Sequence, residues 1–202
     1  MITIVDYKAG NLTSVKRALD HLGLDNQISA DPDVVRKAGR VIFPGVGAAG
    51  AAMGVLKERG LDSALKECFV QGTPVLGICI GCQIILDYSE EDDTDCLGLL
   101  PGACVRFRLS DPALKIPHMG WNVVSVLRPH PLLGHLRPGD EFYFVHSFHP
   151  KPADPALVYA ESEHGGPFPA AIGKDNLFAV QFHVEKSGPL GLKVLQNFST
   201  WN

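Results

Sequence analysis

Apolar residues in the first half of the chain come in short unbroken runs, with stretches of helical periodicity between them. Ile2–Asp6 reads as a short strand, Val41-Ile42-Phe43 as a second that ends at Pro44-Gly45, and Val75-Leu76-Gly77-Ile78 as the next. Asn11 is placed to N-cap a helix with Leu12, Val15, Leu19 and Leu22 on one face. Further helices are expected over Ala51–Arg59, Leu61–Gln71 and from about Gly81 to Tyr88. Apolar runs without polar alternation are what strands show when both faces of a parallel sheet are covered. The second half is richer in strands: Val105–Phe107, Asn122–Val126, Phe142–Val145, Leu157–Ala160 and Leu177–Phe182. A closing helix from about Pro189 puts Leu190, Val194, Leu195, Phe198 and Trp201 on one stripe, and Pro150–Pro155 reads as a loop. Alternating strand and helix predicts an α/β fold, and with no linker-like stretch one domain is expected over residues 1–202.

Composition narrows the class. With 46% apolar and 20% charged residues, the 202-residue chain is neither fibrous nor disordered. A net charge of −4 without a basic cluster argues against nucleic acid or an anionic membrane as the main partner. No apolar run is long enough to span a bilayer, and Met1–Tyr7 lacks the basic start of a signal peptide. The five cysteines are odd in number and lack a framework spacing, which suits a reducing compartment. A soluble cytoplasmic protein is expected.

The chemistry centres on Gly77-Ile78-Cys79-Ile80-Gly81, where a buried strand turns into a helix. Glycines two before and two after a nucleophile let the backbone form a tight elbow without Cβ clashes. The elbow sets Cys79 beside a helix start, whose positive end favours thiolate. A buried structural cysteine is the plainer reading, but strand, elbow and helix are all in register. A cysteine nucleophile needs a base and a group to orient it. Among the eight histidines, His183 stands out because Gln181-Phe182-His183-Val184-Glu185 closes a strand. In extended backbone His183 and Glu185 point to the same side, so Glu185 can hold one ring nitrogen while the other faces Cys79. Phe43-Pro44-Gly45-Val46-Gly47 ends another strand at the same sheet edge, where its N–H groups can join that of Ile80 in an oxyanion hole.

Two other motifs compete. Gly45-Val46-Gly47-Ala48-Ala49-Gly50 matches a dinucleotide fingerprint, but it follows a first strand–helix unit and lacks an acidic residue on a strand some 20 residues later. Cys79-x-x-Cys82 matches a dithiol motif, which has no need of a glycine elbow or a distant His-x-Glu. No second Cys/His pair completes a metal site, and no cofactor is expected.

Together, Pro44-Gly45-Val46-Gly47, Gly77–Gly81 with Gln83, and Gln181-Phe182-His183 with Glu185-Lys186-Ser187 resemble the triad (class I) glutamine amidotransferases. Asp6-Tyr7 with Gly10-Asn11-Leu12, His118-Met119-Gly120-Trp121-Asn122 and Tyr143-Phe144-Val145-His146-Ser147 narrow the likeness to the branch serving histidine biosynthesis. The resemblance implies a flavodoxin-like three-layer sandwich with a mixed, mostly parallel central sheet. It implies hydrolysis of glutamine to glutamate and ammonia through a thioester: Cys79 as nucleophile, His183 as proton carrier, Glu185 as its orienter, and Val46, Gly47 and Ile80 as oxyanion site. Formation of that oxyanion site would involve a peptide flip near Val46. Gln83, Glu91 and the backbone around Ser147 and Phe148 would hold L-glutamine, although Glu91 also reads as part of a solvated acidic loop. The implied partner is a (β/α)8-barrel cyclase, in a heterodimer, that receives the ammonia; Asn11, His118, Trp121 and Lys186 match positions toward it, with a core position as the plainer reading of Trp121.

The chain departs from the family pattern at Val184, where proline is usual, at Cys82 for methionine, at Ala49 for an aromatic and at Phe148 for tyrosine. Two readings compete with the leading one. A glutaminase for another synthase, such as those of anthranilate, guanylate or pyridoxal phosphate, is opposed by the branch marks. A catalytically silent regulatory module is opposed by the filled triad positions.

Overall fold

Successive residues of the apolar runs go to opposite faces of one sheet. Val5, Val41, Phe43, Val75 and Ala179 enter one buried cluster, whereas their neighbours Ile4, Ile42, Leu76, Phe178 and Val180 enter the other. Both faces are therefore dry, and each large side chain such as Phe43 or Phe178 contributes about 1.5–3 kcal/mol by leaving water. The computed structural model describes residues 1–8 and 10–202.

Strands β1 (Ile2–Val5), β2 (Asn26–Ser29), β3 (Arg40–Gly45) and β4 (Val75–Cys79) lie parallel in the order β2-β1-β3-β4, and Leu177–Val180 pairs parallel with β4. This half has the strand order of a flavodoxin-like sheet. Pro167–Lys174, Val158–Glu163 and Ser125–Val126 extend it antiparallel to eight strands. The helices are α1 (Leu12–His21), α2 (Pro32–Arg36), α3 (Ala49–Glu58), α4 (Leu61–Val70), α5 (Ile80–Gln83) and α6 (Gly188–Thr200). α1 and α6 bury Val15, Leu19, Val194, Leu195 and Phe198 on one face, and α2, α3 and α4 bury Val35, Met53, Leu56, Leu65 and Cys68 on the other. The expected three-layer sandwich with its mixed, mostly parallel sheet is thus present. Two smaller sheets flank it: His118–Val123 with Glu141–His146, and Phe148–Pro152, Gly102–Arg106, Tyr88–Ser89 and Thr94–Asp95. No helix among the described residues is long and apolar enough to cross a membrane.

Several local expectations are corrected. β2 was hidden because Asn26-Gln27-Ile28-Ser29 offers one apolar side chain at the sheet edge. The helix after Cys79 spans only Ile80–Gln83 rather than reaching Tyr88, and Ile84, Ile85 and Leu86 are buried outside it. The proline-rich segment begins within a strand, Phe148–Pro152, which pairs antiparallel with Gly102–Arg106. Prolines also mask the strand Pro167–Lys174. Asn11 sits at the start of α1 but at φ 79°, and its side chain makes no capping bond. Asn tolerates this left-handed conformation, and its amide is used elsewhere.

The fold brings β3 and β4 so close to α5 that a Cβ on Gly81 would lie 1.9 Å from the Phe43 carbonyl oxygen. Gly81→Ala is expected to lower the melting temperature through a loss of at least about 1–3 kcal/mol, because backbone cannot yield as a side chain can. Gly54→Ala, in α3 with nothing within 4 Å of a new Cβ, is the control. It should gain about 0.5–1 kcal/mol in the same thermal melt.

Candidate active site

Cys79 ends β4 at φ 54° and ψ −106°, a conformation a non-glycine residue holds only when its surroundings over-determine it. The surroundings are backbone. A Cβ on Gly77 would meet the Gly81 carbonyl at 2.9 Å and Ala179 Cβ at 3.0 Å, and Gly81 is pressed on Phe43 as above. The two flanking glycines serve close approach, and the strained dihedral belongs to the cysteine itself. Gly45 lies opposite Cys79 in the β3–β4 register, which puts the Val46-Gly47 turn beside the thiol. Gly47 is at φ 114°. With α5 only four residues long, the helix dipole near Cys79 is small.

His183 Nδ1 lies 2.6 Å from Glu185 Oε1, and both side chains are fully buried. The carboxylate can only accept, so Nδ1 carries a proton and Nε2, which has no other hydrogen-bond partner among the described residues, is left for Cys79. Burial alone depresses an imidazolium, but Cys79 and Glu185 outweigh it and raise the His183 pKa to about 10. The pairing does not arise from extended backbone as expected. The strand ends at Val180 and Val184–Lys186 form a single 3-10 turn that folds Glu185 onto the ring. Ser187 pins the turn: its hydroxyl donates to the His183 carbonyl (2.6 Å) and accepts from Tyr143 N–H (3.0 Å), while His183 N–H donates to the Tyr143 carbonyl (2.9 Å).

Two further residues complete the surroundings. The Asn11 amide, expected toward the partner, donates to Glu185 Oε1 and so helps to hold the carboxylate. Gln181, fully buried, directs Nε2 toward Cys79 Sγ at 3.8 Å and accepts from Gln83 Nε2 at 3.0 Å. It lies within the Gln-Phe-His motif, two residues before His183, and that spacing was its only signal.

The thiol opens into a cleft of about 280 Å³, lined by Val46, Gly47, Ile80, Gln83, Glu91 and Ser147 among others, close to the roughly 300 Å³ lower end for ligand pockets. That is the scale of an amino acid. Gln83 is buried with both Nε2 hydrogens committed, to Gln181 and to the Phe148 carbonyl (2.9 Å), so only its oxygen is available to a ligand. Glu91 faces the cleft and accepts from Ala49 N–H (2.8 Å) at the start of α3. Burial raises its pKa, and the Ala49 N–H works against that. A carboxylate thus occupies the helix start where the dinucleotide fingerprint would need a pyrophosphate. Cys82 is buried, and burial with Cys79 nearby holds its thiol well above the ordinary range, which disfavours the dithiol reading.

The remaining expected residues divide. Trp121 is 55% exposed and Met119 63%, on one face of the strand His118–Val123, so the core reading of Trp121 fails. Lys186 Nζ stands 5.8 Å from the Tyr143 ring on the same side. His118 does not join them: it is 6% exposed and points inward.

The glutamine amidotransferase class-I family model matches residues 3–200. The imidazole glycerol phosphate synthase subunit HisH of Nitratidesulfovibrio vulgaris strain Hildenborough is 52% identical over 98% of this chain and 95% of its own. The protein of that name from Thiobacillus denitrificans is 46% identical over 100% and 91%. Among solved structures, a glutamine amidotransferase shares the fold at TM-score 0.76 and 17% identity, covering 98% of this chain and 99% of its own. PurLQS from Thermotoga maritima does so at TM-score 0.75 and 21% identity, over 98% and 96%.

The site's geometry makes one departure and one electrostatic feature testable. Val184 opens the 3-10 turn, its N–H makes no backbone hydrogen bond among the described residues, and His183 before it is at φ −89° and ψ 98°. Proline fits there. Val184→Pro should keep glutamine hydrolysis within about twofold and gain about 0.4–1 kcal/mol in a chemical melt. The raised pKa of His183 means its contribution to stability is complete below the ordinary value of 6.5 and is lost as pH climbs toward about 10. Glu185→Gln should lower that pKa in an NMR titration of the ring and flatten the alkaline fall in melting temperature.

Proposed function

The chain belongs to the class-I glutamine amidotransferase family, and on that premise we propose that it is the glutaminase subunit of imidazole glycerol phosphate synthase, acting in histidine biosynthesis. One observation carries the chemical part: a cysteine on a backbone-locked elbow shares a buried site with an imidazole oriented by a carboxylate. The relatives of similar length and name support the pathway. We read residues 1–202 as one amidotransferase domain, because the family match covers 3–200 and the main sheet draws strands from both halves.

Cys79 Sγ attacks the side-chain amide carbon of glutamine. The tetrahedral oxyanion is met by N–H groups at Val46, Gly47 and Ile80, each such donor stabilising the transition state by about 3–4 kcal/mol. His183, protonated at rest, gives its proton to the departing ammonia, and a thioester remains. His183 then takes a proton from water as the water attacks the thioester, and glutamate leaves with Cys79 regenerated. Glu185 keeps Nδ1 bonded, so only Nε2 moves the proton in either direction. Gln83, Glu91 and Ser147 line the cleft in which the amino acid is held; the Phe148 carbonyl already accepts from Gln83 and from His146 Nδ1 (2.8 Å), leaving the N–H of that segment for substrate. No cofactor or metal is required by these steps.

Ammonia free in water becomes ammonium, which is no nucleophile, so the product needs a sheltered route to a second site. We assign that second site to a (β/α)8-barrel cyclase that forms imidazole glycerol phosphate and an aminoimidazole carboxamide ribotide. The exposed Trp121, with Met119 and Lys186 nearby, suits an interface anchored by an aromatic side chain. Five free cysteines suit a cytoplasmic setting. Val46 is 38% exposed and Gly47 has a glycine-only dihedral, which favours a turn able to reorient its peptide on docking.

Glutamate release from glutamine is the test, first with the chain alone and then with the cyclase and its nucleotide ligand. Weak hydrolysis alone, strong hydrolysis with both, and a loss of at least about 10³-fold in Cys79→Ala are the expected results. Absence of hydrolysis in either setting would overturn the assignment.

A further inference from the structure

Two buried histidines outside the triad form a bonded chain that ends at the substrate cleft. His146 Nδ1 is 2.8 Å from the Phe148 carbonyl oxygen, His146 Nε2 is 3.0 Å from His118 Nδ1, and His118 Nε2 is 3.1 Å from Asn122 Nδ2. Asn122 fixes one end. Its Nδ2 also donates to the Glu163 carbonyl (2.8 Å) and its Oδ1 accepts from Val123 N–H (2.8 Å), so the amide cannot be turned round. A carbonyl fixes the other end, because it can only accept.

Every proton between these ends is then determined. Nδ1 of His146 must carry a hydrogen, for it meets the Phe148 carbonyl. With a neutral ring its Nε2 accepts, so the hydrogen in the 3.0 Å contact sits on His118 Nδ1. His118 Nε2 in turn accepts from Asn122. Both rings are therefore the Nδ1–H tautomer, and a second proton on either would place two donors face to face. Burial supports this: it depresses His146 to about 3, with His118 a further cause, and His118 to about 4, with His164 beside it. Phe107, Phe144 and Phe168 pack around the pair and keep the rings in place.

The far end matters for chemistry. The Phe148 carbonyl receives two hydrogens, from His146 and from Gln83, and Gln83 passes its second hydrogen to Gln181, whose own amide points at Cys79. Resting on the glutaminase reading above, we propose that His118 and His146 are positioning residues for glutamine: their directional hydrogen bonds hold the Ser147–Phe148 segment against Gln83 and so set the wall of the cleft opposite the nucleophile. His146 lines the cleft, but the hydrogen bonds of both rings go to each other, to Asn122 and to the Phe148 carbonyl, not to Cys79 or His183. Loss of the donor to Phe148 loosens the wall that holds the substrate while the triad keeps its own bonds, so the effect falls on KM more than on kcat.

The decisive variant is His146→Phe, which keeps an aromatic ring and removes both bonds, against His146→Asn, whose Nδ2 can replace the Nδ1 donor. Both are assayed for glutamine hydrolysis in the complex with the cyclase and its ligand, well below their melting temperatures. His146→Phe should raise KM for glutamine about tenfold with kcat within about threefold, and His146→Asn should restore much of the loss. An unchanged KM in folded His146→Phe, or equal damage from both variants, would overturn the positioning role. Inactivity of the unmodified complex would instead remove the glutaminase reading. Should the variants fail to fold, ring 15N shifts of the unmodified chain at neutral pH still decide: both histidines are expected as neutral Nδ1–H tautomers, and an Nε2–H tautomer or a protonated ring at either position would sink the chain of bonds.

Discussion

The buried pair of His183 and Glu185 sets the terms for the rest of the site. A buried imidazole–carboxylate pair is tolerable only when the carboxylate and the turn that carries the pair are held by further hydrogen bonds, and removing one partner of such a pair commonly costs about 3–5 kcal/mol. The bonds come from distant parts of the chain. Asn11 reaches Glu185 from the start of α1, and the backbone of Tyr143 with the hydroxyl of Ser187 fixes the turn that carries both charged groups. Asn11 makes this bond from a left-handed backbone and gives α1 no capping bond.

The elbow at Cys79 is a different kind of constraint, built by exclusion of side chains. Gly81 lies against the Phe43 carbonyl and Gly77 against the Gly81 carbonyl, so β3, β4 and α5 meet backbone to backbone. That contact lets the thiol stand beside the Val46-Gly47 turn, and it places the cysteine at the open end of the parallel strands, where α/β sheets hold their ligands. The His183–Glu185 pair is held by polar bonds and Cys79 by steric closeness. The two meet only because Leu177–Val180 pairs beside β4 and delivers His183 to the same sheet edge.

Around this centre the polar groups form a continuous set rather than isolated contacts. Gln181, Gln83, the Phe148 carbonyl, His146, His118 and Asn122 each satisfy a neighbour, running from the thiol to the strand whose outer face shows Trp121. In a dry interior an unmatched member would cost more than a matched one contributes, so the set is rigid. The aromatic cluster of Phe107, Phe144 and Phe168 excludes water from it.

Much of this was legible along the chain. Apolar runs at β3 and β4, and a nearly apolar one at β1, announced a sheet covered on both sides, because period-two alternation vanishes when neither face is wet. Gly77-x-Cys79-x-Gly81 and His183-x-Glu185 announced the residues that the candidate site brings together, since glycine spacing and the carboxylate's nearness in sequence are local properties. What local pattern could not carry was anything settled by partners far away. The polar edge strand β2 and the proline-bearing Phe148–Pro152 exist because neighbouring strands supply their ladder bonds. The 3-10 turn at Val184–Lys186, Asn11's turn toward Glu185 and the burial of His118 beside an exposed Trp121 depend on contacts between residues 28 to 174 positions apart. Residue type and spacing determined which groups were available and which fold would carry them. Tertiary structure decided which hydrogen bonds those groups make, because a buried polar atom takes whichever partner the packing of remote segments brings within reach.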